Sequence, residues 1–266
     1  MKRFPFGNGA LCTGLLVAVV LGGTQAVRAQ DWGSVEGQFL FDGEPPELPA
    51  LIAKGDKTAK EPRCAVDGVP DESLVVNPAN KGIANICLYI RKAPATIHPD
   101  LKESKEKEVV FDQKGCIFLP HVLIVRTDQT VLVKSGDPFQ HNTHTNGFSN
   151  EQKNLIIGAE ERKGVPIQMP NSELRLTPVK INCDIHPWMT AYWVVTDHPY
   201  IAVTDADGRF KIENLPAGEH TFRVWQEKSG YVKTAEFDKD LTVTIKAGET
   251  LTLPTFKVPP ASFEKK

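Results

Sequence analysis

The stretch Cys183 to Met189 (CDIHPWM) gathers a thiol, an imidazole and a thioether within seven residues, at the spacing C-x2-H-x2-M. A loop joining two neighbouring strands can turn Cys183, His186 and Met189 toward one centre. Soft sulfur together with imidazole is the donor set that selects copper. Two imidazoles and a thiolate in a plane, with a weak axial thioether, suit one-electron exchange. Such a set needs one more imidazole, from a strand end beside the loop. Gln140 to His144 (QHNTH) offers His141 and His144, directly after the strand Val131–Lys134 and the turn Ser135-Gly136-Asp137-Pro138. Each donor has a plainer alternative: Cys183 as half of a disulfide, Met189 as a core residue. A structural zinc site is disfavoured, because it would carry more thiolates and would not use a thioether. No Ser-His-Asp arrangement, nucleotide-binding glycine loop or pair of carboxylates stands out, so no enzymatic activity is expected. Trp188 and Trp193 read as packing residues, and His98, His121, His198 and His220 as structural or exposed.

The elements that must position these side chains are strands. Val35–Phe41, Ile83–Arg91, His121–Lys134, Val179–Asn182 and Ala191–Thr196 are rich in β-branched and aromatic residues and parted by Gly, Pro, Asp and Asn. In Ile83–Arg91 the even positions Ala84, Ile86, Leu88 and Ile90 are all apolar, which predicts one core face by the period of two. No segment keeps a helical period over ten or more residues. The expected fold class is all-β, a β-sandwich or barrel. A second unit starts near His198-Pro199, with strands at Ile201–Val203, Arg209–Ile212, His220–Trp225, Leu241–Ile245 and Thr250–Val258. Expected boundaries are a leader at 1–29, a first domain at 30–199, a second at 200–258 and a tail at 259–266. On that division the first domain should hold its metal without the second.

The leader is read from Lys2 and Arg3, the apolar run Ala10–Gly22 and Val27-Arg28-Ala29, which predict a signal peptide cleaved after Ala29. Localisation is then periplasmic or secreted, and no membrane anchor is expected. The 266 residues are 41% hydrophobic and 24% charged, with a net charge of −2 and no basic tract, so nothing draws the chain to nucleic acid. In an oxidising compartment, pairing is the default for Cys64, Cys87, Cys116 and Cys183. With Cys183 assigned to the metal, three remain for one bridge. Cys64 and Cys116 lie in turn-like segments flanked by Gly or Pro, whereas Cys87 lies mid-strand, so Cys64–Cys116 is the expected pair.

DPFQHNTH, followed about forty residues later by CDIHPWM, resembles amicyanin-type cupredoxins, over roughly Val122–Thr196. The resemblance implies a Greek-key cupredoxin sandwich holding one type 1 copper on His141, Cys183, His186 and Met189. It also implies that Asn142 hydrogen-bonds around the copper loop, leaving His144 outside the ligand set. TDADGRFKIENLPAGEHTFRVWQE resembles the carboxypeptidase regulatory-like (transthyretin-type) domain. The pairing of the two resembles a group of exported bacterial proteins. The function then expected is one-electron transfer. The edge of His186, flanked by Pro187 and Trp188, should reach the surface and dock a redox partner such as a cytochrome or a periplasmic dehydrogenase. The alternatives are a copper carrier or buffer without a redox role, and a structural β-module.

Overall fold

The computed structural model describes residues 1–2 and 31–264. All but the first two residues of the expected leader lie outside them. The chain is all-β. In order, its strands are β1 (Trp32–Phe41), β2 (Cys87–Ile90), β3 (Glu108–Lys114), β4 (Ile117–Leu119), β5 (Val122–Arg126), β6 (Thr130–Val133), β7 (His141–Thr145), β8 (Asn154–Ile157), β9 (Val165–Gln168), β10 (Val179–Asn182), β11 (Thr190–Thr196), β12 (Ile201–Val203), β13 (Arg209–Pro216), β14 (Gly218–Gln226), β15 (Gly230–Tyr231), β16 (Asp240–Ile245) and β17 (Thr250–Val258). A single turn of helix, α1 (Pro62–Ala65), precedes β2. No helix among the described residues is long and apolar enough to cross a membrane.

Two sheets, ordered β5-β11-β10-β7-β8 and β4-β3-β6-β9, enclose one core. Trp193 of β11 sits at its centre, fully buried, edge-on to Phe111 of β3 at 5.1 Å, and Phe111 stacks on Phe118 at 5.0 Å. Two further sheets, β13-β1-β17 and β12-β2-β14-β15 with β16 on β14, enclose a second core built on Phe39, Phe210, Phe222 and Phe256.

The second sandwich corrects the expected domain boundary. β1 lies between β13 and β17, and β2 lies between β12 and β14. The first two described strands therefore each complete a sheet whose other members follow residue 200. The reason is local and apolar: Phe39 is sealed against Phe210 and Phe256, and the turn Asp205–Gly208 folds onto β1. Gly208, at φ +73°, comes so close to the Phe39 carbonyl that a Cβ would collide with it. The expected tail is likewise part of this core, for Phe263 is buried and stacks on Phe41 at 5.8 Å.

The expected single core face of Ile83–Arg91 is also half of the story. Ile86, Leu88 and Ile90 face the second core, while Cys87 and Tyr89 are equally buried and pack with Val122, Val194 and Trp225 between the sandwiches. His198, at the crossover from β11 to β12, ties the two units. It lies wholly buried, its Nε2 donates to the Ile90 carbonyl at 2.9 Å, and its Nδ1 accepts from the Tyr200 amide at 3.2 Å.

Candidate metal centre

β10 and β11 are a hairpin whose last pair is Asn182 with Thr190, so Cys183–Met189 is its loop. The loop is pinned at both feet: the Cys183 amide donates to the Met189 carbonyl at 3.3 Å, and the Met189 amide to the His186 carbonyl at 2.9 Å. β7 runs beside β10 and begins with His141. These two adjacent strands thus deliver a thiol and two imidazoles to one point.

His141, Cys183 and His186 are all buried, and one donor atom from each lies within 4.8 Å of the others. The two Nδ1 atoms face each other at 2.9 Å, and His186 Nδ1 is 3.6 Å from Cys183 Sγ. Burial pushes the Cys183 thiol up, but the neighbouring imidazoles of His141 and His186 and a hydrogen bond from the Asn142 backbone amide outweigh it and bring the thiol down to about 6. A buried thiol lowered toward thiolate beside two imidazoles is a donor set that copper accepts, so the residues present fit that ion. Met189 is buried at the foot of the loop, within the same core.

Asn142 braces the loop. Its Oδ1 accepts from the amides of Asp184 (2.7 Å) and Ile185 (3.2 Å), and its own amide donates to Cys183 Sγ at 3.4 Å. His144 stays outside the cluster and contacts Asp184 at 3.2 Å. Pro187 is exposed and Trp188 half-buried, its ring 5.3 Å from that of His186.

Two features were not legible in the ligand motif. The first is Asp137, whose Oδ2 lies 2.9 Å from His141 Nε2. A carboxylate can only accept, so it holds the proton on Nε2 and leaves Nδ1 free to coordinate. Asp137 is itself held by the amides of Gly115 (2.7 Å) and Cys116 (3.0 Å) in the β3–β4 turn. Burial opposes its charge, but His141 and these amides win and its carboxyl stays low. A carboxylate four residues before a candidate ligand was the available signal.

The second feature overturns the expectation that His186 reaches the surface. It is only 3% exposed. The closed loop 51–69, joined at its base by Ile52 and Val69, lies across it. Glu61 Oε2 stands 3.9 Å from His186 Nε2 and is gripped by the Arg63 guanidinium, whose hydrogen bond holds the Glu61 carboxyl down to about 2. Arg63 also lies over the Phe139 ring at 4.0 Å, and that ring packs against both His141 and His186. Cys64, next to Arg63, is bonded to Cys116, with Cα atoms 5.7 Å apart. The bridge thus links the cover over His186 to the turn that holds Asp137 behind His141. Cys87 and Cys183 are free.

No family model matches the chain, and no curated protein matches it. Solved structures do. One is the copper-containing nitrite reductase from Thermus scotoductus SA-01, at 21% identity over 33% of this chain and 22% of that one, with a TM-score of 0.29. Another is amicyanin from Paracoccus versutus (Thiobacillus versutus), at 14% identity over 41% of this chain and 97% of that one, with a TM-score of 0.28. The chain spans less than a quarter of the length of that nitrite reductase.

Proposed function

We propose that this is an exported copper protein holding one type 1 ion on His141, Cys183 and His186, with Met189 as the weak axial donor. The observation that carries the reading is the convergence of three buried donors whose thiol is already lowered toward thiolate. When bound, copper supplies one-electron exchange between its two oxidation states. The protein's part is to hold the donors and keep water out. Asp137 fixes the His141 tautomer, Asn142 fixes the loop, and the pinned hairpin resists rearrangement between oxidation states. Four protein donors leave no position for a substrate, so no enzymatic turnover is proposed. Export is supported by the leader-like first residues and by the Cys64–Cys116 bridge, which suits an oxidising compartment. The partner on this reading is a redox protein such as a cytochrome or a periplasmic dehydrogenase.

One observation favours a second reading, a copper carrier or buffer without a redox role. Loop 51–69 covers the His186 edge that a redox partner would otherwise approach. The absorption spectrum of the Cu(II)-loaded protein tests the site. We expect an intense visible thiolate-to-copper charge-transfer band that Cys183→Ala abolishes. A colourless protein that takes up no copper would leave a structural β-module. Electron self-exchange at a rate too slow to follow, despite that band, would favour the carrier.

A further inference from the structure

A cleft of about 620 Å³ opens beside the ligand loop, and its wall includes Trp188 and Met189 from the loop together with Glu72, His121, Tyr192 and Glu227. His121 stands just ahead of β5, and only 8% of it is exposed. Its Nε2 lies 2.6 Å from Glu227 Oε2. The other oxygen of Glu227 accepts from the Tyr192 hydroxyl at 3.3 Å, which fixes the carboxylate. Since a carboxylate only accepts, Nε2 carries the proton and Nδ1 presents a lone pair. That Nδ1 is buried and has no hydrogen-bond partner.

A buried ring nitrogen without a partner is costly to leave so, and is an unusual thing to find beside a carboxylate. Glu72 Oε2 faces it at 3.7 Å, beyond hydrogen-bonding distance. Two donors that far apart can share one small cation at bond lengths of about 2.0–2.2 Å. Burial, with the Glu227 charge nearby, pushes the Glu72 carboxyl up. The arrangement repeats on a second histidine what Asp137 does for His141: a carboxylate on one ring nitrogen orients the other toward a metal. Glu72 is 24% exposed in its side chain, so it stands between the buried ring nitrogen and solvent.

We propose that His121 Nδ1 and the Glu72 carboxylate form a second cation site, oriented by Glu227 and completed by water, that takes a divalent transition-metal ion. Mixed nitrogen and oxygen donors suit Zn²⁺ or Cu²⁺ and disfavour Mg²⁺ and Ca²⁺. The site is independent of which ion the His141 centre holds. The competing account is a protonated His121 that is merely ion-paired to both glutamates.

Calorimetric titration of the full chain with Zn²⁺ tests it, in the parent, His121→Ala, Glu72→Gln and Cys183→Ala proteins. His121→Ala and Glu72→Gln should each bind one ion fewer than the parent and keep the event that depends on Cys183. Cys183→Ala should do the reverse. Glu227→Gln should weaken the His121 event about 10- to 100-fold, the usual cost of losing such an orienting partner. Glu72→Gln alters only a partly exposed side chain, and so serves if His121→Ala fails to fold. In ¹⁵N spectra of the parent, Zn²⁺ should shift His121 Nδ1 and spare Nε2. Equal stoichiometry in the parent and Glu72→Gln proteins would overturn the proposal. So would two protonated His121 nitrogens that Zn²⁺ leaves unmoved.

Discussion

The side-chain oxygen of Asn142 accepts from two amides of the ligand loop, and its backbone amide donates to the sulfur. Replacing it with alanine keeps the last contact and removes the first two. With these two part-buried loop amides deprived of their acceptor, Asn142→Ala should cost about 1 kcal/mol, read from urea denaturation of the metal-free protein. An unchanged midpoint would mean that water takes over both contacts. A second residue carries a pH dependence. His198 needs its neutral form, because Nε2 donates to Ile90 while Nδ1 accepts from Tyr200. Burial holds its pKa below the usual 6.5. As pH falls through the unfolded value, the unfolded chain takes a proton that the folded chain refuses, so stability drops until the folded pKa is reached. His198→Phe removes this proton linkage. The stability gap between the parent and that variant should therefore narrow from about pH 7 to about pH 5. A gap that stays constant over this range would remove His198 from the pH response.

At the scale of elements, loop 51–69 and the β3–β4 turn act as one unit because a disulfide joins them. Closing a chain separation of 52 residues stabilises by about 4 kcal/mol in the chain-entropy model. The double variant Cys64→Ser/Cys116→Ser should lose up to that amount. It should also release copper to a chelator several-fold faster, because Glu61 and Arg63 no longer lie fixed over His186. Release at the parent rate would show that the cover is held by Arg63 and Phe139 alone. The ligand loop and this bridge were legible in the sequence because each is a local matter of donor type, spacing or turn chemistry, whereas the role of Asn142 came only from the family resemblance. The cover was not, since nothing in residues 61–63 announces contact with residue 186. β3, β8 and β9 were also missed. Glu108–Lys114 and Asn154–Ile157 show little two-residue alternation, and Val165–Gln168 contains a proline, so pairing with neighbours decides their conformation.

At the scale of the molecule, the two sandwiches are interlaced rather than strung in series. A chain ending at Asp197 would keep the donors yet strip β1 and β2 of every neighbouring strand. Phe39, Ile86 and Leu88 would then be left uncovered. We expect that truncate to bind an apolar dye and aggregate, whereas a soluble, compact truncate would mean that β1 and β2 find other cover. The interlacing has a mechanical consequence too. β1 pairs with β17 in parallel, from Ser34 with Thr250 to Phe41 with Val258, across a separation of 216 residues at Glu36–Thr252. A pull on the start of β1 and the end of β17 runs along both strands in opposite senses. Such a load falls on the whole ladder at once, in shear, instead of opening it bond by bond as in a zipper. Forced extension from these two points should therefore meet its highest resistance at the outset, with little yielding before the β1–β17 clasp fails. Force spectroscopy would show this as a first rupture larger than any that follows. The copper-site sandwich, whose strands all lie between the two halves of that clasp, would feel no tension until then.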